Sequence, residues 1–592
     1  MAFRFDPKAQ VTVDWPWGFG VEHRISLGGQ LLGWRDGRGW RTATPALSVR
    51  SAQYGADLRG GLWFQGDGSR PWIDLAVDIP QAQIAAAKGF WLRNSMSPKT
   101  VRWLDEALRG GSVRDAHALV SGDLDHWPFR NQDGLFHASA RIEDAVVKFQ
   151  PDWPAAERLD AQVDFVADGF RVQGGSASVG GVDVRDVDAG IEHFRRALLT
   201  VSARGAGDAS KLLGLLRQSP LRKTHEETLA SIEASGRANV DFALDLPLYA
   251  GAPPSIMRGE VALDGARLSD KRWDLAFTEV TGSARYGRGG FAAEDLSVRH
   301  GERPGRLSLR AGEDYVRDPR QAFEAELQAQ LQAGELLQRA PQMDWLRPRI
   351  AGASPWTIAV SIPKAEAAGR NATAPGRLQL RSNLVGTALS LPAPLDKPAS
   401  TALPTTVSVQ LPMGEGEIAV AFGNLLALRA RSRGGQTGVR VVLGASRVDA
   451  APPASGLVAS GRAARLDAIE WATLASGGAS GATATTTAPP AAPASAAANA
   501  REGLSLRSVD VSVARLGLVG AEFPDTRLRA APAQGGTAIR FDGETLRGAL
   551  LLPQSDTAAI AGRFERLHWR TAKAPGAAGA GSTSVAPATA AG

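Results

Sequence analysis

Apolar and polar residues alternate with a period of two through nearly the whole chain, and that pattern admits few folds. Val11, Val13 and Trp15 begin it. Ile73, Leu75, Val77 and Ile79 repeat it, and Ala138, Ala140 and Ile142 are followed by Ala145, Val147 and Phe149. Val240, Phe242, Leu244 and Leu246 do the same, as do Val407, Val409 and Leu411, then Ile418, Val420 and Phe422. Successive side chains of a strand point to opposite faces, so each segment presents one apolar and one wet face. Roughly 25–30 such segments are legible, bounded by turn signals such as Gly28-Gly29, Asp36-Gly37 and Asp67-Gly68. Two architectures satisfy the pattern. Sheets can bury their apolar faces against each other as sandwiches, or one long curved sheet can hold its apolar face open as a groove.

Helical signals are few. Ser97-Pro98 opens one, Val101, Leu104, Ala107 and Leu108 give it an apolar stripe, and Gly110-Gly111 is read as its stop. Residues 208–233 form a second helical passage carrying Leu212, Leu213, Leu215 and Leu216, broken at Ser219-Pro220. A short helix is expected from Glu335 to Gln338. Residues 475–500 are Ala/Thr/Pro/Ser/Gly-rich and cannot bury enough apolar area to offset the entropy of ordering. The expected organisation is a β segment over 1–90, a helix plus β repeat over 91–206 and a helical insertion over 207–238. β repeats follow over 239–474, then a low-complexity linker over 475–503, a C-terminal β segment over 504–572 and a disordered tail over 573–592. A weak internal repeat relates 140–170 to 259–291. Each runs strand, Asp plus a small residue, strand, Trp (Trp153, Trp273), strand, aromatic (Phe165, Tyr286), Gly-Phe.

The residue inventory argues against an enzyme. There is no Cys, which excludes disulfides, thiolate metal sites and Cys nucleophiles. The 8 His fall in no metal-ligand or catalytic spacing. Acids such as Glu143-Asp144 and Asp186-Val187-Asp188 read as turn residues. Gly174-Gly175 and Gly180-Gly181 lack phosphate-loop spacing. No catalytic residue, metal or cofactor is expected. The 67 basic and 61 acidic residues leave a net charge of +6, too small and too dispersed for a nucleic-acid partner. No run of about 18 apolar residues provides a membrane-spanning helix.

Two stretches resemble the large AsmA-like envelope proteins of Gram-negative bacteria, and most closely the YhdP family, whose members carry a DUF3971-type region. The first is WLRNSMSPKTVRWLDEALRGGSVRDAHALVSGDLDHWPF, where Trp103, Leu104, Ala107, Gly111, Val113, Gly122, Pro128 and Phe129 carry the likeness, with Gly134-Leu135-Phe136 and Trp153-Pro154 beyond it. The second is LQLRSNLVGTALSLPAPLDKPA, through Ser382, Leu384, Gly386, Leu391, Pro392, Pro394 and Lys397. The strands LRGALLLP and AGRFERLHW resemble the family's ending. The resemblance implies a mainly β fold: an elongated, curved antiparallel sheet of repeated β-groove units with a few short helices. It implies a periplasmic protein, inner-membrane anchored in the family, that moves phospholipids between inner and outer membranes. The anchor is missing from this chain, which is expected to be an N-terminally truncated copy. The partners implied are phospholipid acyl chains, and membrane surfaces or envelope proteins. Val147, Phe149, Val163, Phe165, Phe242 and Leu244 are the groove-facing candidates. A scaffold of closed β-units acting through protein partners is the alternative.

Overall fold

The computed structural model describes all residues except 15–18, 92, 94–95, 219–229, 272–274, 339–345, 365–374, 413–415, 472–504, 554–558 and 570–592. The described chain is mainly β, with 31 strands, mostly antiparallel, and a few short helices. It divides into two compact units, Met1–Arg317 and Asp318–Gly592.

The first unit holds 17 strands, from Ala2–Phe5 to Arg303–Ala311. From Glu22–Asp36 onward each strand pairs antiparallel with the next one in sequence. Every hairpin is therefore local, the pairing that costs least loop-closure entropy. Among the described residues, what packs on this sheet besides its own neighbouring strands is mainly helical: the turn Ile84–Phe90, the helix Pro98–Ala107 and the helix Ala209–Arg217. The Ser97 hydroxyl accepts the Thr100 amide at 3.1 Å and Pro98 occupies the first turn, as the sequence requires. Val101 and Ala107 are the residues this helix buries.

The end of that helix differs from expectation. Leu108 is already extended and begins the strand Leu108–Asp123, so Gly110-Gly111 is not a helix stop. Gly111 lies inside the strand at φ 107°, where a Cβ would sit 2.5 Å from the Ala145 Cα. Close approach of the paired strand at an irregular register, and not helix termination, demands the glycine.

The acids read as turn residues are also placed differently. Asp144 and Asp186 have positive φ within strands, as do Glu279 and Asp295, which the sequence did not mark. They sit where the ladders skip register, between Ile142 and Ala145, Arg185 and Asp188, Thr278 and Thr281, and Ala293 and Leu296. These are β-bulges, which use the same left-handed conformation as a turn and so carry the same residue signature. Each inserts one residue and restores the inward phase: Ile142 faces in, the bulge follows, and Ala145 faces in with 0% exposure. The Asp144 amide donates to the Asp160 carboxylate at 2.9 Å, which satisfies one ladder group the bulge frees. The internal repeat has this physical content. Asp144-Ala145 and Gly265-Ala266 are both a left-handed residue followed by a fully buried alanine. Phe165 pairs with Phe170 as Tyr286 pairs with Phe291. Trp273 lies outside the described residues.

The second unit runs from Gln321–Gln332 to Ala561–Leu567 and departs from the antiparallel meander in two places among the described residues. Thr387–Leu389 pairs back with Ile350–Pro363, and Gly376–Ser382 pairs instead with Thr405–Leu411. Gly456–Asp467 is parallel both to Gln436–Leu443 and to Leu506–Leu518. Parallel neighbours need a crossover between opposite strand ends. The first crossover, 444–455, is held on the polar side: Arg429 and Arg440, paired across the sheet, donate to the carbonyls of Asp449 at 3.2 Å and Ala451 at 2.8 Å. The second contains the low-complexity stretch 475–500, which lies outside the described residues. The unit's core gathers Leu391, Leu395, Val511, Leu516, Phe523, Phe541 and Leu546.

Candidate functional site

Register shows which side chains share a face. In the first unit Ala140 pairs with Val163, Val163 with Val172, Val172 with Ala189, Ala189 with Val201, and Val201 with Leu244. Directly paired residues project to the same side, so this apolar row crosses six strands without interruption. Phe165 lies two residues from Val163 and Phe242 two from Leu244, on the same inner face. Phe165 pairs with Phe170, and Phe242 with Ala203 and Gly259. Val147 pairs with Ala156, which pairs with Val179, and Val179 pairs with the buried Val182. Phe149 follows the strand. Its carbonyl accepts Trp103 Nε1–H at 3.0 Å, and its ring lies 6.1 Å from Trp153. Val163, Val172, Val201, Phe242 and Leu244 are only half-buried, because no second sheet packs on them among the described residues. The outer face carries exposed cross-strand ion pairs: Arg114–Glu143 at 3.2 Å, Arg204–Asp186 at 3.1 Å and Arg237–Asp264 at 3.3 Å. Each such pair contributes about 0–1 kcal/mol. Their main effect is to keep that face in water.

The two margins of the inner face differ. Ile84–Phe90, Pro98–Ala107 and Ala209–Arg217 line one of them. Near that helical margin the inward residues are fully covered, with Ala107, Ala145, Ala238, Ala266 and Val280 all at 0%. The opposite, open margin carries the connections 36–39, 64–72, 123–134, 166–169 and 191–198. Three of these are tied by one ion cluster. The Asp168 side chain, 4% exposed, accepts Arg130 Nε–H at 2.7 Å and bonds His193 Nδ1 at 3.0 Å. Burial works to raise the Asp168 pKa, but the bonds from Arg130 and His193 outweigh it and hold the carboxyl below its usual range. The bond to Asp168 raises the His193 pKa above its ordinary value. A raised His pKa stabilises fully below the unfolded value and loses that contribution as pH rises through the folded one. The depressed Asp pKa does the converse in acid. The cluster is therefore tightest between about pH 4 and 6.5, the unperturbed Asp and His values. Amide exchange of 191–198, corrected for intrinsic rates, is expected to lose protection from pH 6 to pH 8, and His193→Gln to remove that dependence.

The second unit repeats the inner row with residues that sequence reasoning did not single out. Leu327 pairs with Ile358, Ile358 with Leu380, Leu380 with Val407, Val407 with Val420, and Val420 with Leu428. All but Leu327 are half-buried. Their period-two signal was legible, but nothing in it ranks one strand above another. The residues that carried the family likeness have structural work instead. Phe129, 3% exposed and at φ 63°, seats its ring on Gly122 and Gly134. The Ser382 hydroxyl donates to the Pro355 carbonyl at 2.7 Å and accepts the Leu384 amide at 3.0 Å. Gly386, at φ 96°, meets the strand carrying Ala353 so closely that a Cβ would overlap the Ala353 carbonyl. Lys397, 4% exposed, donates three bonds, to the carbonyls of Leu384 at 2.8 Å, Thr387 at 2.6 Å and Pro398 at 3.0 Å. Burial lowers its pKa. No group of His, Cys, Asp or Glu side chains able to hold a metal ion is present among the described residues.

The first unit carries an uncovered apolar row among the described residues, and connections in both units are tightly stapled. A family model described as "YhdP protein" matches residues 8–590. The "Intermembrane phospholipid transporter YhdP" of Escherichia coli (strain K12) is 23% identical over 392 residues, 65% of this chain. The match covers 30% of that relative's own length. No solved structure matches. No described helix is long and apolar enough to cross a membrane. The family match spans nearly the entire chain, and the protein belongs to the YhdP family.

Proposed function

We propose that the inner faces of the two units bind phospholipid acyl chains, and that the chain contributes to phospholipid transfer between the inner and outer membranes across the periplasm. The observation that carries this reading is the uncovered apolar row of the first unit, Ala140 through Leu244, with no layer packed on it among the described residues. Each methylene moved from water onto such a face contributes about 0.8 kcal/mol, so an acyl chain gains several kcal/mol. A polar metabolite gains little. The reading assigns no catalytic group: acyl chains exchange along a face that lowers their transfer cost, and direction belongs to the system around it. The phospholipid-transporter role of the Escherichia coli relative supports the substrate class.

The test is native mass spectrometry with lipid extraction on the purified chain. Phospholipid is expected to co-purify, and Val163→Asp or Phe242→Asp to reduce it at least severalfold with the circular dichroism spectrum unchanged. Both side chains are half-buried, so a carboxylate at either stays solvated once lipid leaves. Leu119→Asp, on the outer face, serves as control. A folded chain that takes up no lipid when lipid is offered would favour a scaffold acting through protein partners.

A further inference from the structure

The outer face of the first unit carries ion pairs over its later strands, but tryptophans over its first ones. Trp34, Arg41, Trp63 and Trp72 form one row, each paired across the ladder with the next. Alternation fixes the side of that row. Val77 leads through Ala118 and Ala138 to the inward Phe165, and Trp72 stands five residues from Val77 in an unbroken ladder, so it turns outward. Trp34 is 45% exposed and Trp72 42%. The Arg41 guanidinium lies over the Trp63 ring, 4.4 Å from its centroid, and pairs with the Asp36 carboxylate. The Trp63 Nε1–H is buried and finds no acceptor among the described residues.

Pairing, charge and spacing restrict what such a row can take. Gly39–Arg50 and Tyr54–Phe64 are paired on both sides, so no strand can be added across the row and recognition falls to side chains. Asp36 balances Arg41, whereas Asp74 and Asp123 share the face with Trp72, Asp123 as its paired residue. Arg59 stands four residues from Trp63, about 13 Å along the strand. Carboxylates beside the tryptophans repel an anionic membrane surface and favour a partner with a basic flank. Trp34 and Trp63 lie two strands apart, about 9.5 Å at the usual strand spacing. A polyproline II helix repeats every three residues, about 9.3 Å, and leaves its carbonyls without internal hydrogen bonds.

From this row we infer that the outer face of the first strands docks a proline-rich segment of a protein partner, laid across the strands from Trp34 to Trp72 with a basic residue beside Asp74 and Asp123. Proline rings three residues apart meet successive tryptophans, and the carbonyls between them accept from indole N–H groups. Aromatic surfaces read a polyproline II helix in this way, and the helix is preformed, so little entropy is lost on docking. Trp and Arg are also the side chains that carry most of the energy at protein interfaces. The docking is independent of the phospholipid path, which lies on the opposite face of the sheet.

The experiment titrates the full chain into a fluorescein-labelled peptide, a run of prolines with an arginine at each end, and follows fluorescence anisotropy. Saturable binding is expected, weakened about tenfold or more by Trp34→Ala and by Trp72→Ala, the effect of truncating an interface anchor. Both side chains are well exposed, so both variants are expected to keep the wild-type circular dichroism spectrum. Trp34→Phe keeps a ring to stack but no N–H, and its affinity is expected to lie between. The same peptide with glycine in place of proline is expected not to bind. Equal binding of the glycine peptide, no binding of the proline peptide, or binding indifferent to both tryptophans would overturn the docking. So would flotation with phosphatidylglycerol vesicles that Trp34→Ala abolishes, which makes the row a membrane contact. A dimer in light scattering that Trp34→Ala abolishes would give the row to a second copy and overturn it too. Co-purifying phospholipid is expected to be unchanged in both alanine variants, which separates this result from that of the lipid path.

Discussion

Phe129→Ala is expected to cost about 3–5 kcal/mol, the range for removing a fully buried aromatic ring. The ring sits on two glycines: a Cβ at Gly122 would lie 2.8 Å from it, and Gly134 is the paired position on the next strand. Nothing else nearby can settle into the space, because both seats are bare backbone. The ring also meets Trp127 edge-on at 5.5 Å, so the loss loosens a neighbouring aromatic. The measurement is native amide exchange of Leu108–Val147, where protection should fall roughly a hundredfold or more if opening becomes easier by that energy. Gly122→Ala approaches the same contact from below. Its backbone at φ 145° strains any L side chain, and its methyl displaces the ring. A Phe129→Ala protein with unchanged protection would show that the ring covers the glycines without holding the connection.

Lys397→Met is the second large effect, at about 2–3 kcal/mol in the Asp318–Gly592 unit. Methionine matches the lysine stem but offers no donor, so three charge-assisted bonds are lost. The damage is bounded, because two of the carbonyls keep an amide: Thr387 donates to Leu384 at 3.1 Å and Thr401 to Pro398 at 3.2 Å. Relief of the ammonium's desolvation offsets a further part. Lys397→Arg is expected to fail as a rescue. Three converging carbonyls fit the three-fold arrangement of an ammonium and not the planar fork of a guanidinium. Urea unfolding of the second unit, followed through Trp471, is the readout. The Trp471 indole donates to the Ala393 carbonyl at 2.8 Å, within the same connection. A Lys397→Met midpoint equal to wild type would remove the staple from the account.

The internal repeat separates the kinds of information involved. Asp144-Ala145 and Asp264-Gly265 stood out in the sequence as an acid followed by a small residue. The sequence has no means of saying that the turn-like residue sits inside a strand. Bulge and turn ask for the same left-handed backbone, so only the partner strand distinguishes them. Gly111 is the same case, a helix stop by local reading and a close approach of the paired strand in fact. The likeness through Phe129, Gly122, Gly386 and Lys397 identified the family, yet these residues staple connections. A single buried ring or ammonium constrains its neighbours tightly, whereas any apolar residue of suitable size can line an open face.

The alternation by itself determined that the chain is built of strands with one apolar face, because the side-chain period of a strand is two whatever it packs against. It determined the apolar identity of Val163, Phe165, Phe242 and Leu244 for the same reason. Whether those faces are covered was decided only in the tertiary structure. Closure depends on which elements are brought back over the sheet, and among the described residues of the first unit helices return to one margin alone. The parallel placement of Gly456–Asp467 was decided there too, since local pattern does not record strand direction. So was the tryptophan row of the outer face, because the alternating hairpins carry residues far apart in sequence, such as Trp34 and Trp72, to the same side of one sheet.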